Sequence, residues 1–282
     1  MKQKHILAIH DISCIGRCSL TVALPVISAA GITTSVLPTA VLSTQTGGIS
    51  GYTYRDLTAD MPDIADHWQS LSISFDAIYT GYLGSWKQLE IVEDLSRQFK
   101  TENTLMIVDP VMADGGELYP GFSPDFPNGM AKLCKCADVI TPNMTEALLM
   151  VKESYHEGPY SQDYINDLLK ALSSKLNVNN IVLTGVYLDE NKYGAAAYDN
   201  GNVHFSFSKK ISGDYHGTGD VFSSVLTAAI VKGNPLSQAM SIAVKFTSES
   251  IKRTYLAKTD TRYGVNFEAG LKDLAGMLDL NS

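Results

Sequence analysis

The sequence has few charged residues for its length, and most of them are acidic. Of its 282 residues, 18% are charged, with 22 Lys and Arg against 30 Asp and Glu, so the formal net charge is −8. A globular protein typically has about 25% charged residues. Nucleic acids and anionic membranes bind cationic surfaces, so we expect neither to be the main partner of this chain.

Long apolar runs are lacking as well. Hydrophobic residues make up 45% of the chain, yet no run approaches the ~20 residues that a helix needs to cross a bilayer. The run from Ile6 to Ile9 ends at His10 and Asp11, which is too short for the core of a signal peptide. We therefore expect a soluble, cytoplasmic, globular protein.

Cysteine and histidine are too sparse to build a structural framework. Cys14, Cys18, Cys134 and Cys136 lack the paired Cys-x-x-Cys spacing of a zinc site and are too few for a disulfide scaffold in a chain of this size. We expect them to be small buried hydrophobic side chains. The six histidines are dispersed and show no metal-ligand spacing.

Apolar β-branched runs alternate with segments of helical period through most of the chain. This alternation is typical of a parallel sheet with crossover helices. Strands are predicted at Lys4 to Ile9, Thr33 to Pro38, Ala77 to Thr80, Leu105 to Asp109, Val139 to Thr141 and Ile181 to Thr184. Helices are predicted at Ser19 to Ala30, Arg55 to Leu71, Ser85 to Lys100, Thr145 to Val151, Asp163 to Leu176, Val221 to Val231, Leu236 to Tyr255 and Phe267 to Leu278.

The pattern changes after Gly185. Two segments of alternating polarity flank Asn200-Gly201, a dipeptide that favours the tight turn of an antiparallel hairpin. No repeat, low-complexity tract or linker marks a boundary, so we predict a single α/β domain over residues 1–282.

The segment Gly217-Thr218-Gly219-Asp220 precedes an apolar helical stretch. Its glycines let the backbone approach a ligand closely, and the start of the helix adds the positive end of a dipole, so the segment favours an anion. Asp220 would then take a proton from an attacking hydroxyl. A glycine-rich turn capped by an aspartate is an equally supported interpretation. The segment is not a P-loop, because the Gly-Lys-Ser/Thr ending is absent.

Two further segments carry carboxylates at predicted strand ends. Asn143-Met144-Thr145-Glu146 has the spacing of a capping box, and Glu146 could also hold a water on magnesium. Asp109 and Asp114 lie five residues apart before Gly115-Gly116, which suits either magnesium ligands or a plain aspartate turn. The loop from Thr44 to Gly48 is open to two interpretations, a lid over a pocket or an ordinary flexible loop.

Together these stretches resemble the ribokinase-like superfamily, and within it the pyridoxal kinase branch, over nearly the whole chain. The resemblance implies a three-layer αβα fold with a central, mostly parallel sheet. It rests on Ser19 to Pro25 continuing through Leu42 to Gly47, on Asp109-Pro110-Val111-Met112, on Asn143-x-x-Glu146, and on Gly217 to Asp220.

The resemblance implies transfer of the γ-phosphoryl group of ATP to the 5′-hydroxymethyl group of a vitamin B6 vitamer, in the salvage of pyridoxal phosphate. The implied catalytic residues are Asp220 as base with Gly217, Thr218 and Gly219; the implied ring-binding residues are Asp11, Thr46 and Tyr82. The implied ATP-binding residues are Asp109, Thr141, Asn143, Glu146, Thr184, Gly217 and Gly219. The implied magnesium ligands are Asp109, Asp114 and Glu146.

The resemblance also implies a monovalent cation, K⁺ or Na⁺, near Thr141 and Thr184, a cytosolic homodimer, and a flap from Ala113 to Pro127. Several pyridoxal kinases have a serine where this chain has Asp11, so we hypothesise that the carboxylate favours a vitamer with a donor, such as pyridoxamine. Two alternatives stay open: a hydroxymethylpyrimidine (phosphate) kinase of thiamine biosynthesis, and a non-catalytic binder of a B6 phosphate.

Overall fold

The computed structural model describes residues 3–279. Within this range the strands are β1 (His5–Ser13), β2 (Thr33–Leu42), β3 (Tyr54–Asp56), β4 (Ala77–Thr80), β5 (Leu105–Val108), β6 (Ala113–Asp114), β7 (Glu117–Leu118), β8 (Val139–Ile140), β9 (Asn180–Val186), β10 (Lys192–Asp199) and β11 (Asn202–Lys209). Nine of them form one sheet in the order β11-β10-β9-β8-β5-β4-β1-β2-β3, and β6 pairs with β7 in a separate hairpin.

The helices of the described range cover both faces of this sheet. They are α1 (Leu20–Ala29), α2 (Met61–Ser70), α3 (Trp86–Phe99), α4 (Phe126–Cys134), α5 (Met144–Val151), α6 (Gln162–Leu176), α7 (Thr218–Val231), α8 (Leu236–Ala257) and α9 (Leu271–Leu278). The buried side chains of α2 to α6 share one core with one sheet face, and those of α1 and α7 to α9 share a second core with the other face. These three layers confirm the predicted fold class.

The central strands are parallel and the outer ones are not. Neighbouring strands from β2 through β1, β4, β5 and β8 to β9 pair in parallel, whereas β3, β10 and β11 pair antiparallel. The hairpin predicted at Asn200-Gly201 joins β10 to β11, and both residues have a positive φ, 48° and 97°. The turn therefore uses the left-handed backbone that this dipeptide accepts at little cost.

Two sequence-based predictions are wrong in detail, and one helix was not predicted. Residues 55–60 are not helical: Tyr54–Asp56 is the edge strand β3, and α2 begins at Met61 with Pro62 in its first turn. The flap predicted from Ala113 to Pro127 consists of the β6–β7 hairpin, a loop, and the start of α4, a helix that the sequence reading missed. Of the cysteines, Cys134 alone is buried, while Cys14 is exposed and the other two are half-buried.

The strand order places a crevice at the middle of the sheet. After β1 the chain passes to β2 on one side, and later to β4 on the other side. Loops that leave the carboxyl ends of β1 and β4 therefore diverge, which is where open α/β sheets bind ligands. Over the described residues, none of the helices combines the length and apolar character needed to cross a membrane.

Candidate active site

The carboxyl-terminal part of β1 holds a buried carboxylate. β1 runs four residues further than predicted, so Asp11 and Ser13 lie within the strand and are 6% and 2% exposed. The hydroxyl of Ser13 donates to Asp11 Oδ2 at 3.0 Å, and the hydroxyl of Ser19 donates to Asp11 Oδ1. Burial raises the pKa of Asp11, and these two donors act against that rise. Both carboxylate oxygens of Asp11 are therefore engaged by side-chain hydroxyls.

The other predicted ring-binding residues lie on two loops. Tyr82 follows β4, is half-buried, and its ring centroid lies 5.6 Å from that of Phe122 in the flap region. Burial raises the pKa of the Tyr82 hydroxyl, and the nearby Tyr54 and Asp11 raise it further. The predicted ring pocket therefore has a phenol and a carboxylate in the same neighbourhood.

Thr46 is exposed, and its loop is shaped by its neighbour Gln45. The Gln45 side chain accepts from the amide of Gly47 at 3.1 Å and donates to the Gly47 carbonyl at 2.8 Å. It also donates to the carbonyl of Arg262, which ties this loop to the far end of the chain. The loop from Thr44 to Gly48 is thus braced, and Gln45 is a residue that the sequence reading did not single out.

Of the two glycines before Asp220, the local backbone requires the one at position 217 but not the one at position 219. Gly217 has a φ of 70°, and a Cβ there would lie 2.0 Å from the carbonyl oxygen of Arg17, so local structure requires it. Gly219 has no positive φ, and a Cβ there would meet nothing within 4 Å. The fold itself leaves the space over Gly219 open at the start of α7, where free N–H groups favour an anion.

The hydroxyl of Thr218 turns away from this space and donates to the carbonyl of Tyr215 at 3.2 Å. Its side chain braces the loop before α7. The predicted contribution of Thr218 therefore comes from its backbone N–H alone.

Asp220 lies in the first turn of α7 and is only partly accessible. Burial raises its pKa to about 7, the charge of Asp11 acts in the same direction, and the backbone N–H of Ser19 donates to it and lowers the pKa. A carboxyl group with a pKa near neutrality can both take and release a proton at physiological pH, as a general base must.

Asp109 directly follows the central strand β5. It is 6% exposed, and burial raises its pKa to about 8, against hydrogen bonds from Ser223 and Thr141. The two hydroxyls are themselves 3.2 Å apart. Asp220 is close enough to raise the pKa of Asp109 further, so the two carboxyls belong to one site.

The predicted capping box at the start of α5 is present. Asn143 Oδ1 accepts from the amide of Glu146 at 2.9 Å, and Glu146 Oε2 accepts from the amide of Asn143 at 2.9 Å. Glu146 Oε1 also accepts from the amide of Met112 at 3.1 Å. Burial raises the pKa of Glu146, and the neighbouring charge of Asp109 adds to the rise. Glu146 is therefore a structural cap whose carboxylate also faces Asp109.

Asp114 and Thr184 are placed less centrally. Asp114 is exposed, and its carboxylate accepts from the amide of Gly115 at 2.8 Å. The hydroxyl of Thr184 donates to the carbonyl of Pro142 at 3.5 Å. Among residues 3–279, no group of three or more His, Cys, Asp or Glu side chains is arranged to hold a metal ion. The structure thus brings together Asp109 and Glu146 but leaves Asp114 on the hairpin at the margin of the site.

A family model, described as phosphomethylpyrimidine kinase, matches residues 23–264 of the chain. The chain belongs to the phosphomethylpyrimidine kinase family. Membership confirms the predicted class of enzyme, a phosphotransferase that acts on an alcohol group.

The solved structures similar to this chain include a protein named as a phosphomethylpyrimidine kinase and one named as a pyridoxal kinase. A candidate phosphomethylpyrimidine kinase from Bacteroides thetaiotaomicron, in its orthorhombic crystal form with pyridoxal, is 38% identical and has a TM-score of 0.92 over 97% of this chain and 96% of that one. Pyridoxal kinase from Lactobacillus plantarum is 31% identical, with a TM-score of 0.89 and 98% of each chain covered. These structures confirm the predicted resemblance to the pyridoxal kinase branch of the ribokinase-like superfamily.

A curated relative, pyridoxine kinase of Bacillus subtilis, is 29% identical over 190 residues. The match covers 65% of this chain and 66% of that protein, so it spans just under two thirds of the relative.

The structure adds residues to this kinase site that the sequence did not mark. Ser223 lies one helical turn after Asp220, and that spacing alone could have revealed it. Ser13 carries no pattern of its own, and Ser19 is marked only as the first residue of the block Ser19 to Pro25, which carries the resemblance.

Tyr119 also carries no signal in the sequence. The pKa of its hydroxyl is raised by burial and then by the charges of Glu146, Asp114, Asp220 and Asp109. A phenol from the segment predicted as a flap therefore lies within electrostatic range of these four carboxyl groups.

Proposed function

We propose that this protein transfers the γ-phosphoryl group of ATP to the 5′-hydroxymethyl group of a vitamin B6 vitamer, pyridoxal, pyridoxine or pyridoxamine, in the salvage of pyridoxal phosphate. The observation that carries the proposal is the position of Asp220. It lies in the first turn of α7, directly after Gly219, where the space at the helix N-terminus is open, and it is near enough to Asp11 for the charge of Asp11 to raise its pKa. The relative that has a crystal form with pyridoxal supports this choice of ring.

In the proposed reaction, the substrate hydroxyl lies against the carboxylate of Asp220. The proton of that hydroxyl moves to Asp220 as the oxygen attacks the γ-phosphorus, and the bond from phosphorus to the β-phosphate oxygen breaks. The amides of Gly217, Thr218 and Gly219 stabilise negative charge on the transferring group. Because the pKa of Asp220 is about 7, the carboxylate is available as a base at neutral pH.

Magnesium would enter as part of the MgATP substrate. Mg²⁺ typically takes one or two protein carboxylates and completes its shell with phosphates and waters. Asp109 and Glu146 fit this donor set: both are buried, burial raises the pKa of each, and the charge of a neighbouring acid, Asp220 for Asp109 and Asp109 for Glu146, adds to the rise. When bound, the ion neutralises phosphate charge. Asp114 remains a proposed further ligand.

Other parts of the proposal rest on the sequence, through its composition and patterning and through the resemblance. They are a monovalent cation, K⁺ or Na⁺, near Thr141 and Thr184, ring contacts of Asp11, Thr46 and Tyr82, a homodimer, a cytoplasmic location, and a single domain over residues 1–282.

A second candidate substrate is hydroxymethylpyrimidine or its phosphate. The family name and the name of the Bacteroides relative favour it, and the substrate is likewise a flat heteroaromatic ring with a hydroxymethyl group. A non-catalytic binder of a B6 phosphate is disfavoured, because a binder has no need for an acid with a pKa near 7 beside the anion site.

The test is ADP release from MgATP in the presence of pyridoxal, pyridoxine, pyridoxamine, hydroxymethylpyrimidine and ribose. We expect turnover with the vitamers to exceed turnover with the pyrimidine. Preference for the pyrimidine would move the protein to the second candidate, and absence of turnover with every ring would refute the proposal.

The matched variant is Asp220→Asn, which keeps the size of the side chain and removes the base. We expect its kcat to fall about 10³-fold, while ATP binding measured by calorimetry stays within about threefold of the wild type. Substantial turnover in this variant would remove Asp220 from the base role.

A further inference from the structure

His216 lies immediately before the glycine-rich segment that the proposed reaction uses. It is half-buried and directly precedes Gly217, the residue that caps α7. Its imidazole lies against Gly47 and Gly48, which belong to the loop from Thr44 to Gly48, the ring loop. Two segments that are far apart in the sequence, and that carry the two halves of the proposed site, therefore meet at this side chain.

The contact with Gly47 leaves no room for a side chain at that position. A Cβ built on Gly47 would lie 2.8 Å from His216 Nδ1 and 2.9 Å from His216 Cε1, with Gln45 Oε1 next at 3.1 Å. Gly47 is not among the glycines with a positive φ, whereas its neighbour Gly48 has a φ of 71°. Its backbone conformation is therefore open to residues with a side chain. The close approach of the imidazole is what requires glycine at position 47.

The backbone of Gly47 is held at the same time. The side chain of Gln45 engages both the N–H and the carbonyl of Gly47, and it also donates to the carbonyl of Arg262. The imidazole of His216 covers the Cα of the same glycine. Thr46, the proposed ring contact, directly precedes this fixed residue. The position of Thr46 therefore depends on a residue that His216 contacts.

Gly217 is held by a contact that does not involve the imidazole. A Cβ on Gly217 would lie 2.0 Å from the carbonyl oxygen of Arg17, so the two backbones are closely packed. The amide of Arg17 donates in turn to the carbonyl of Tyr263 at 2.9 Å. The proposed phosphate site therefore keeps these supports when the imidazole is removed, while the ring loop loses one of its contacts.

We infer that His216 is a positioning residue that sets the place of the ring loop, and with it the substrate ring, relative to the phosphate site at the start of α7. This inference rests on the proposed function, because it takes Thr46 as a ring contact and Gly217 to Gly219 as the phosphate site. A displacement of about 1 Å between reacting groups is costly in rate. Loss of the imidazole should therefore raise the KM for the vitamer and lower kcat, and it should leave the KM for MgATP unchanged.

The experiment measures kcat and both KM values for His216→Ala, Gly47→Ala and the double variant in the full chain. We expect each single variant to raise the KM for pyridoxal about tenfold, with the KM for MgATP within about twofold of the wild type. In the double variant the methyl group at position 47 enters the space that the imidazole leaves. The combined loss should therefore be smaller than the product of the two single losses.

Three outcomes would overturn the inference. They are a wild-type KM for pyridoxal in His216→Ala, an equal rise in both KM values in that variant, and single losses that simply multiply in the double variant. Tyr215→Phe is the matched control, because its hydroxyl donates within the loop before α7, to the carbonyl of Ser212 at 2.9 Å. It should keep both KM values within about twofold, and a rise in the KM for pyridoxal as large as in His216→Ala would also count against His216.

Thermal unfolding tests the contact without turnover. Gly47→Ala should lower the Tm of the wild type, because its Cβ meets the imidazole, and should lower the Tm of His216→Ala much less. Equal losses in the two backgrounds would show that the imidazole does not occupy this space and would refute the inference. Absence of vitamer turnover in the wild type would instead refute the proposed function, and it would leave the thermal readout intact.

Discussion

Asp11 and Glu146 are both buried carboxylates at the carboxyl edge of the same sheet, and they are held in opposite ways. Side-chain hydroxyls hold Asp11, from Ser13 and Ser19. Backbone amides hold Glu146, from Asn143, Met112 and Ala113. Hydroxyls rotate and side chains change rotamer, whereas backbone amides move only with the chain.

The difference separates two tasks. The ring end has a carboxylate whose partners can adjust to a ligand, and the nucleotide end has one that fixes the loop after β5 to the start of α5. We therefore expect Glu146, which holds the loop in place, to contribute mainly to the free energy of unfolding. We expect Asp11 to contribute mainly to selectivity among ring substrates.

Removal of each carboxylate tests this contrast most strongly. Glu146→Ala leaves backbone donors unpaired in a buried loop and should lower the free energy of unfolding by about 3 kcal/mol. Asp11→Ala leaves two hydroxyls that can find other acceptors and should cost about 1 kcal/mol. Urea denaturation of the two variants measures both values, and equal losses would contradict the comparison.

The pH dependence of stability provides a test of Asp109, a carboxyl group of the proposed nucleotide site. The folded pKa of Asp109 is about 8 against an ordinary value of 3.8. Between these values the folded state keeps a proton that the unfolded state has released, so stability falls as pH rises through this window. Without magnesium, we expect the protein to be more stable at pH 5 than at pH 8.

Asp109→Asn is the control for this pH effect. It removes the titrating group and keeps the side-chain size, so the difference between pH 5 and pH 8 should shrink. Thermal unfolding in a chelator follows both proteins, and an unchanged slope in the variant would assign the effect to other acids.

Gly219→Ala tests the proposed phosphate site at the start of α7 and should leave the packing of the protein unchanged. The added methyl group meets no protein atom within 4 Å, so the Tm should stay at the wild-type value. It occupies the space into which phosphate would approach, so the KM for ATP should rise about tenfold with no change in the KM for the vitamer.

Gly217→Ala is the paired control. It forces a Cβ against the carbonyl oxygen of Arg17 and a side chain onto a φ of 70°, so it should lower the Tm. A Gly219 variant that loses stability in the same way would show that both glycines serve the fold.

Asp11→Ser should give the smallest effect. It replaces a carboxylate with the residue found in several pyridoxal kinases, and we expect the ratio of kcat/KM for pyridoxamine to that for pyridoxal to fall about threefold. Parallel assays with the two vitamers measure this ratio, and an unchanged ratio would mean that Asp11 does not select for a donor.

The sequence revealed the parts of this site that depend on short spacing. Asn143 and Glu146 are three residues apart, and Gly217 to Asp220 is continuous, so each pattern carries its own structure. The alternation of apolar runs with helical segments likewise predicted the parallel sheet with its crossover helices, and the alternating polarity around Asn200-Gly201 predicted the hairpin.

What the sequence could not show depends on distant parts of the chain. β1 was predicted to end at Ile9 because His10 and Asp11 are polar, yet burial between neighbouring elements keeps both within the strand. β2 was predicted to end at Pro38, but it continues because the ladder has an irregularity opposite that residue. Ser19 meets Asp11 through a backbone conformation that no local pattern predicts.

A chain of aromatic rings connects Tyr82, a proposed contact of the substrate ring, to the surface. Tyr82 lies 5.6 Å from Phe122, Phe122 stacks on Phe126 at 4.1 Å, and Phe126 lies 6.2 Å from Trp86, which is 42% exposed. The chain has two tryptophans. The other one, Trp68 on α2, packs against Phe75 in a different aromatic cluster. The protein therefore contains its own optical reporter: emission from Trp86 will follow any ligand that displaces Phe122, with Trp68 as a constant background.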